Sequence, residues 1–173
     1  MDDAVLMVAK LMSLAASTAP KCMGQDYVET KIIAGEELDK LATEMVSYGQ
    51  KTKKANFDRD AENVRRSQAV FLIALRKNMP VGLNCGACGI NECGYLISEE
   101  GNEFEGPLCA WRVLDVGIAL GSAVKIASAL NVDNRVMYRV GVVARKMGLI
   151  KGPLVIGVPV SAYSKNIYFD RGS

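Results

Sequence analysis

The chain has 173 residues, of which 50% are apolar and 23% are charged, and its formal net charge is +2. This length and composition predict a single soluble globular domain, residues 1–173, with enough chain to bury a core. Because neither charge sign dominates, we expect no nucleic-acid partner. No apolar run reaches the ~20 residues of a membrane-spanning helix, so no membrane partner is expected either. The acidic start, Met1-Asp2-Asp3, is unlike a signal peptide, and a cytoplasmic location is expected.

Histidine is absent from the whole sequence. Its absence excludes Ser-His-Asp and Cys-His catalytic sites, histidine metal ligands and the usual proton shuttle of neutral pH. The sequence also lacks a phosphate-binding loop of the G-x-x-x-x-G-K-S/T kind, and it shows no nucleophile–base pair. Whether the chain is an enzyme is therefore left open. If it is an enzyme, the class we expect is an oxidoreductase.

The first half of the chain predicts helices and strands in alternation. Val5, Val8 and Met12 fall on one helical face, and Pro20 ends that pattern. The predicted elements are a helix over 4–19, a strand over 27–34, a helix over 36–50, a charged loop and short exposed helix over 51–66, and a strand over 69–75. Because the last of these strands is apolar without alternation, we expect it to be buried on both faces of a sheet.

The second half of the chain predicts two more helices and a closing strand. The predicted elements are an acidic surface turn or small hairpin over 98–106, a helix over 112–130, a turn over 131–134, a helix over 135–147, and a strand over 153–160 in which Pro159 marks an edge or the strand end. Three aromatic residues in the tail 161–173 indicate that it packs on the body or on a second subunit. Together these elements predict an α/β (α+β) layered domain with a mixed sheet flanked by helices.

Four of the five cysteines are concentrated in the segment 83–109. Cys85, Cys88, Cys93 and Cys109 follow the spacing C-x2-C-x4-C-x15-C, and a glycine comes directly after each of the first three. Thiolates this close in sequence, on so flexible a backbone, can converge on one point. We therefore predict these four cysteines as metal ligands, in a cysteine-rich loop embedded in the domain.

The cysteine spacing favours one kind of metal centre without deciding it. Zinc ribbons usually show two separated C-x2-C pairs, whereas this chain has three close cysteines and one remote cysteine. That arrangement favours an iron–sulfur cluster, of the 4Fe-4S type, with zinc as the alternative and free redox-active thiols as a third reading. Trp111, close to Cys109, could shield a cluster from water.

Other residues near this segment admit two interpretations each. Cys22 is a reactive thiol or substitute ligand, or else a small buried apolar residue, which is the commoner case. Arg112 and Asp115, one helical turn apart, form a proton relay or, more simply, an ion pair. Gly117 and Gly121 share one helix face, which serves close helix packing or leaves room for a flat ligand.

Several stretches together resemble an uncharacterised prokaryotic family of ferredoxin-domain proteins. They are Thr18-Ala19-Pro20-Lys21, Asn84-Cys85-Gly86-Ala87-Cys88-Gly89, Asp115-Val116-Gly117, Asn131-Val132-Asp133-Asn134-Arg135, Lys165-Asn166 and Phe169-Asp170-Arg171. The resemblance covers nearly the whole chain and is most specific in the cysteine segment. It implies a cluster ligated by Cys85, Cys88, Cys93 and Cys109, and it implies no particular reaction.

A weaker resemblance is to the nitroreductase-like flavoprotein fold. In that fold a first helix also ends in an Ala-Pro turn before a strand, as Ala19-Pro20 does here, and a helix of small residues lies in the core. The resemblance implies a dimer with flavin mononucleotide (FMN) at the subunit interface. The Arg-x-Ser segment that holds the flavin phosphate in that fold precedes the first helix, where this chain has Met1-Asp2-Asp3.

The functional prediction is an iron–sulfur protein that transfers electrons to an unknown redox partner, in the form of a homodimer. The first alternative is a structural protein in which zinc or an inert cluster clamps the segment 83–109 to the domain. The second alternative is a flavin-dependent reductase of nitroreductase-like fold.

Overall fold

The computed structural model describes residues 1–169, so Asp170 and Arg171 of the closing motif lie outside the described residues. Its α-helices are α1 (Asp2–Thr18), α2 (Glu36–Thr52), α3 (Phe57–Arg65), α4 (Ala110–Ala129) and α5 (Tyr138–Lys146), and two short 3-10 helices cover Cys22–Gly24 and Cys93–Tyr95. Its strands are β1 (Val28–Ala34), β2 (Ala69–Leu75), β3 (Glu99–Glu100), β4 (Glu105–Gly106), β5 (Asp133–Asn134) and β6 (Leu154–Ser161). In this part of the chain, no helix combines the length and apolar character that crossing a membrane requires.

The main sheet has four strands in the order β1-β2-β6-β5, and β3 pairs with β4 in a separate hairpin. Phe71, in the middle of β2, lies opposite Ile32 of β1 and Val158 of β6. All three pairings of the main sheet are antiparallel, whereas the sequence predicted a mixed sheet. Strand direction depends on how often the chain reverses between strands. Two helices, α2 and α3, separate β1 from β2, so the chain reverses three times between these strands, and this odd number of reversals makes them antiparallel.

Strand β2 is the centre of a three-layer arrangement, and all seven of its residues are buried. Its side chains alternate between the two faces of the sheet. Ala69, Phe71, Ile73 and Leu75 pack with α1 and α4 on one face, and Val70, Leu72 and Ala74 pack with α2, α3 and α5 on the other. The prediction of a central strand buried on both faces is confirmed, and so is the layered α/β domain.

Helices α1 and α4 pack against each other through alanines. Ala9 and Ala16 of α1 are fully buried in the same cluster as Ala119, Ala123 and Ala127 of α4. Small side chains allow the two helix backbones to approach closely. Gly117 and Gly121 lie on the exposed side of α4, and a side chain at either position would meet nothing within 4 Å. The interpretation that these two glycines serve helix packing within the chain is therefore wrong.

The remaining boundaries differ modestly from the prediction. Helix α3 is amphipathic and not simply exposed, because Phe57, Ala61 and Val64 are buried. The predicted turn over 131–134 contains the short strand β5, and α5 begins at Tyr138 because the preceding Met137 forms a bridge to Gly157 of β6. Strand β6 is interior, between β2 and β5, and Pro159 lies opposite Val70 of β2, two residues before β6 ends at Ser161. The prediction that Pro159 marks an edge or the strand end is therefore wrong.

The tail packs on the body through Tyr168. This side chain is 2% exposed, and its hydroxyl lies 2.8 Å from the Ser67 hydroxyl. Arg135 donates to the Tyr168 carbonyl at 2.8 Å. Burial raises the pKa of Tyr168 to about 12, so its hydroxyl stays protonated at neutral pH. The prediction that the tail packs on the body is confirmed for Tyr168, whereas Tyr163 and Phe169 are exposed.

Helix α5 lies unusually close to strand β6, and a glycine makes this approach possible. A side chain at Gly141 would overlap the backbone carbonyl of Val155. Both partners belong to regular elements, so neither can move without shifting the helix off the sheet. A residue other than glycine at position 141 is therefore expected to strain the layer that α5 contributes.

We expect Gly141→Ala to lower the free energy of unfolding by about 1–3 kcal/mol, because the added methyl group overpacks the α5–β6 contact. Gly121→Ala is the matched control, since its methyl group meets open space within the chain. That variant should keep or gain stability, by up to about 1 kcal/mol, through better helix propensity. Urea unfolding followed by circular dichroism measures both. Equal effects of the two substitutions would contradict the packing account.

Candidate metal centre

The cysteine segment begins where strand β2 ends and finishes where helix α4 begins. Asn78, just beyond β2, accepts a hydrogen bond at its Oδ1 from the backbone N–H of Cys109 over 2.9 Å. Its Nδ2 donates to the Ser98 hydroxyl at 2.7 Å and to the Pro107 carbonyl at 3.3 Å. A single amide side chain thus joins the two ends of the segment, which sequence reasoning missed because asparagine near a strand end suggests only a turn.

The structure brings Cys85, Cys88, Cys93 and Cys109 together around one small cavity, with a volume of about 10 Å³. Apolar residues complete the lining, namely Val81, Leu83, Ile90, Leu96, Ala110 and Trp111 among others. Cys109 is buried, Cys88 and Cys93 are half-buried, and Cys85 is exposed. The four residues predicted as ligands are therefore neighbours, and their role as ligands stays a prediction.

The four thiols do not form a ready-made site for a single metal ion. Among residues 1–169, no three histidine, cysteine, aspartate or glutamate side chains are grouped so as to hold a single metal ion. A mononuclear zinc site needs Zn–S distances of about 2.3 Å from every thiolate. The four sulfur atoms would have to draw together to reach that geometry.

Tight turns fold the first three cysteines around the cavity. Gly86 has a φ of +70°, a left-handed conformation that residues with side chains rarely adopt, and its carbonyl accepts from the Gly89 N–H at 2.9 Å. Asn84 is also left-handed, with a φ of 48°. Its side-chain Oδ1 accepts a hydrogen bond from the Cys93 N–H at 2.8 Å. The chain around Cys93 is thereby held against the start of the segment.

Two of the four sulfur atoms accept N–H hydrogen bonds. The Trp111 Nε1–H donates to the Cys85 Sγ at 3.3 Å, and the Asn84 backbone N–H donates to the Cys93 Sγ at 3.4 Å. Hydrogen bonds from the Ala87 backbone and then from Trp111 lower the pKa of the Cys85 thiol, which favours the thiolate. Thiolate is the form in which cysteine binds metals.

Helix α4 presents its first turn to the cavity. Cys109 caps this helix, and its carbonyl accepts from the Arg112 backbone N–H at 3.0 Å. The partial positive charge at a helix N-terminus favours an anion there. An anionic thiolate or cluster at Cys109 would therefore be stabilised by the helix that follows it.

The β3–β4 hairpin, between Cys93 and Cys109, is fastened to α5 by Arg145. Its guanidinium contacts Glu100 at 2.6 Å and Glu105 at 2.8 Å, and its Nε donates to the Gly152 carbonyl at 2.7 Å. The hydrogen bond from Arg145 lowers the pKa of Glu100. The predicted hairpin is present, and its acidic residues serve to attach it to the body.

Arg112 and Asp115 form a buried ion pair of 3.2 Å. The Arg112 guanidinium also donates to the Met79 carbonyl at 2.8 Å and to the Gln25 side chain, and it stacks on the Tyr27 ring. These contacts link the start of the cysteine segment to the loop that follows α1. The ion-pair interpretation therefore fits the geometry, and a proton relay does not, since the Arg112 side chain is fully buried among its partners.

Cys22 belongs to that same loop and not to the cavity. Its N–H donates to the Asp115 Oδ1 at 2.8 Å, and its carbonyl accepts from Arg112 at 3.3 Å. The cavity is lined by the other four cysteines. Cys22 is therefore held in place by its backbone hydrogen bonds to Asp115 and Arg112. The structure gives no support to a role of its thiol as a substitute ligand.

We expect Arg112→Met to lower the free energy of unfolding by about 3–5 kcal/mol, because Asp115 would be left buried without its counter-charge. The matched control is Arg76→Met, since Arg76 is exposed and makes one long contact, of 3.5 Å, to the Asp26 carbonyl. The control should change stability by less than about 0.5 kcal/mol. Chemical denaturation distinguishes the two cases, and comparable losses would refute the structural role of Arg112.

Solved structures with the same fold are nitroreductases and their relatives. The FMN-dependent nitroreductase NfnB from Mycobacterium smegmatis, in complex with NADPH, matches with a TM-score of 0.61 and 10% identity over 96% of this chain and 84% of that chain. A nitroreductase with bound FMN from Desulfitobacterium hafniense matches with a TM-score of 0.58 and 12% identity over 92% of this chain and 78% of that chain. These similarities confirm the predicted nitroreductase-like fold.

Sequence comparison identifies the family. A protein of Archaeoglobus fulgidus, described as "Uncharacterized protein", is 45% identical over 172 residues, which cover 98% of this chain and 93% of the relative. A family model also matches residues 105–171, a range that includes Cys109 and excludes the other three cavity cysteines. The chain belongs to the family described as "Uncharacterized protein containing a ferredoxin domain (DUF2148)".

Proposed function

We propose that this chain binds a 4Fe-4S cluster through Cys85, Cys88, Cys93 and Cys109 and exchanges single electrons with a redox partner. The observation that carries the proposal is the meeting of these four thiols around one cavity. The ferredoxin domain in the family description agrees with an iron–sulfur or redox role. We place this role in the cytoplasm, where cysteines stay reduced, and the chain's five cysteines are all free thiols.

The residues around the cavity fit such a cluster chemically. Iron–sulfur clusters are typically held by four thiolates, and their potentials respond to N–H hydrogen bonds on sulfur and to solvent exposure. Here two sulfurs accept N–H bonds, apolar side chains line the walls, and the α4 N-terminus lies beside Cys109. The cluster would supply one-electron chemistry. The chain itself would bind it, exclude water on the Cys109 side and leave the Cys85 side open to a partner.

Zinc is the first alternative and would make the segment a structural clamp. The spacing of three close cysteines and one remote cysteine favours a cluster over zinc, since zinc ribbons usually show two separated C-x2-C pairs. A zinc-bound protein would contain one zinc and no sulfide per chain. Metal removal would then unfold the segment without any reversible redox change.

A flavin-dependent reductase is the second alternative, and the shared fold is the observation that favours it. The Desulfitobacterium hafniense structure contains FMN, according to its description. A fold can host unrelated sites, so the fold alone does not transfer the flavin to this chain. Flavin absorbance and phosphorus content of the purified protein test this alternative on the same sample as the metal analysis.

We expect anaerobically purified protein to contain about four irons and four acid-labile sulfides per chain, with visible absorbance that dithionite bleaches. Cys88→Ser should lose the chromophore and most of the iron, because it removes one of four thiolate ligands. Cys22→Ser is the matched control and should keep both, since Cys22 lies outside the cavity. Iron, zinc and sulfide analysis with absorption spectra gives the result. A fully coloured Cys88→Ser protein would refute the assignment of Cys88 as a cluster ligand.

We also propose that the chain functions as a homodimer, paired through the outer surface of helices α1 and α4. Met7, Leu11 and Leu14 of α1 and Leu114 and Ile118 of α4 are all exposed there. The two helices pack side by side, so these side chains belong to one outer layer. Contiguous exposed apolar surface of this kind is typical of protein–protein contacts.

We expect Ile118→Glu to convert the dimer into a monomer, because a carboxylate would be desolvated at the paired surface. Tyr138→Glu is the matched control, since Tyr138 is similarly exposed but belongs to α5 on the opposite face of the sheet. Light scattering coupled to size-exclusion chromatography measures the mass of each protein. If the unmodified chain is a monomer at micromolar concentration, the paired surface is refuted.

A further inference from the structure

The four cavity cysteines differ in how far solvent reaches them. Cys109 is 5% exposed and is covered by the start of α4, whereas Cys85 is exposed. Solvent access at one corner of a cluster changes the charge stabilisation there and therefore its reduction potential. The protein groups that contact the Cys85 sulfur therefore act at the corner of the centre that solvent reaches most readily.

Trp111 is the side chain that contacts the Cys85 sulfur. It lies in the first turn of α4, two residues after Cys109, and its Nε1–H donates to the Cys85 Sγ at 3.3 Å. Its ring also forms part of the cavity lining. One residue therefore links the remote cysteine, through its helix, to the first cysteine of the segment. An indole N–H can only donate, so the direction of this hydrogen bond is settled by chemistry.

We propose that Trp111 sets the reduction potential of the centre by donating its indole N–H to the Cys85 thiolate. This inference rests on the proposed cluster. One-electron reduction adds a negative charge that is shared with the cysteine sulfurs. A hydrogen bond to sulfur therefore stabilises the reduced state more than the oxidised state and raises the potential. Trp111 is a positioning residue, because it acts through Cys85.

The substitution Trp111→Phe separates the hydrogen bond from the packing, since phenylalanine keeps an aromatic ring over the cavity and has no N–H. Tyr95→Phe is the matched control. Tyr95 is an exposed aromatic residue two positions after Cys93, and its hydroxyl makes no hydrogen bond within residues 1–169. Both variants remove one polar group from an aromatic side chain near a predicted ligand, and only one of these groups contacts sulfur.

We expect Trp111→Phe to lower the equilibrium constant for one-electron reduction about tenfold, which is a shift of about 59 mV to more negative potential. The measurement is a dye-mediated redox titration with dithionite as the electron donor. Resonance Raman bands of the iron–cysteine bonds should move in Trp111→Phe, since the sulfur loses its hydrogen bond, and stay in place in Tyr95→Phe. An unchanged potential and spectrum in a fully loaded Trp111→Phe protein would overturn the inference and leave the cluster proposal standing.

Trp111 is the only tryptophan of the chain, so its fluorescence provides a second test that needs no variant. A cluster in contact with the indole should quench its emission, and removal of the cluster by a chelator under anaerobic conditions should restore it. Emission that does not respond to cluster removal would overturn the inference even if Trp111→Phe failed to assemble a cluster. Purified protein without iron and sulfide would refute the cluster proposal itself, and this inference with it.

Discussion

The buried guanidinium of Arg112 is the contact on which the geometry of the candidate centre depends. A charge inside a protein is tolerated only when it is paired and hydrogen-bonded. Arg112 meets this requirement with groups from three separate segments, namely the Met79 carbonyl, the Cys22–Gln25 loop and Asp115 on its own helix. The start of the cysteine segment, the loop after α1 and the first turns of α4 must therefore take their positions together. A site assembled from loops gains in this way a rigid support that loops alone do not provide.

The layered body supplies the other half of this support. Strand β2 is buried on both faces and paired on both edges, so the position of its last residue, Leu75, is fixed. The cysteine segment that follows therefore starts from a rigid point. Asn78 then binds the Cys109 N–H, and Arg145 attaches the intervening hairpin to α5. The cavity thus lies between the end of the central strand and the start of α4. The proposed exchange of electrons would benefit from such rigidity, since small displacements of the ligands on reduction keep electron exchange fast.

The comparison with nitroreductases separates the fold from the site. The chain shares their architecture at 10–12% identity, a level at which similarity concerns the fold alone. The four-cysteine cavity lies between β2 and α4 and depends on residues of this chain, such as Asn84 and Trp111, that contact its sulfurs. The function must therefore be argued from the cavity and not from the architecture. On that basis the thiol cavity supports an iron–sulfur centre more directly than the fold supports a flavin.

The sequence by itself determined what depends on local pattern. The apolar run 69–75 predicted β2 with the observed bounds, because a strand buried on both faces cannot alternate. The cysteine spacing likewise predicted that the first three thiols lie close together, because the links between them are short and flexible. Only the tertiary structure decided strand direction, the exposure of Cys85 and the partners of Asn78 and Arg112. Asn78 binds a residue 31 positions away and Arg112 one 90 positions away, and no local pattern encodes which distant groups a polar side chain will meet.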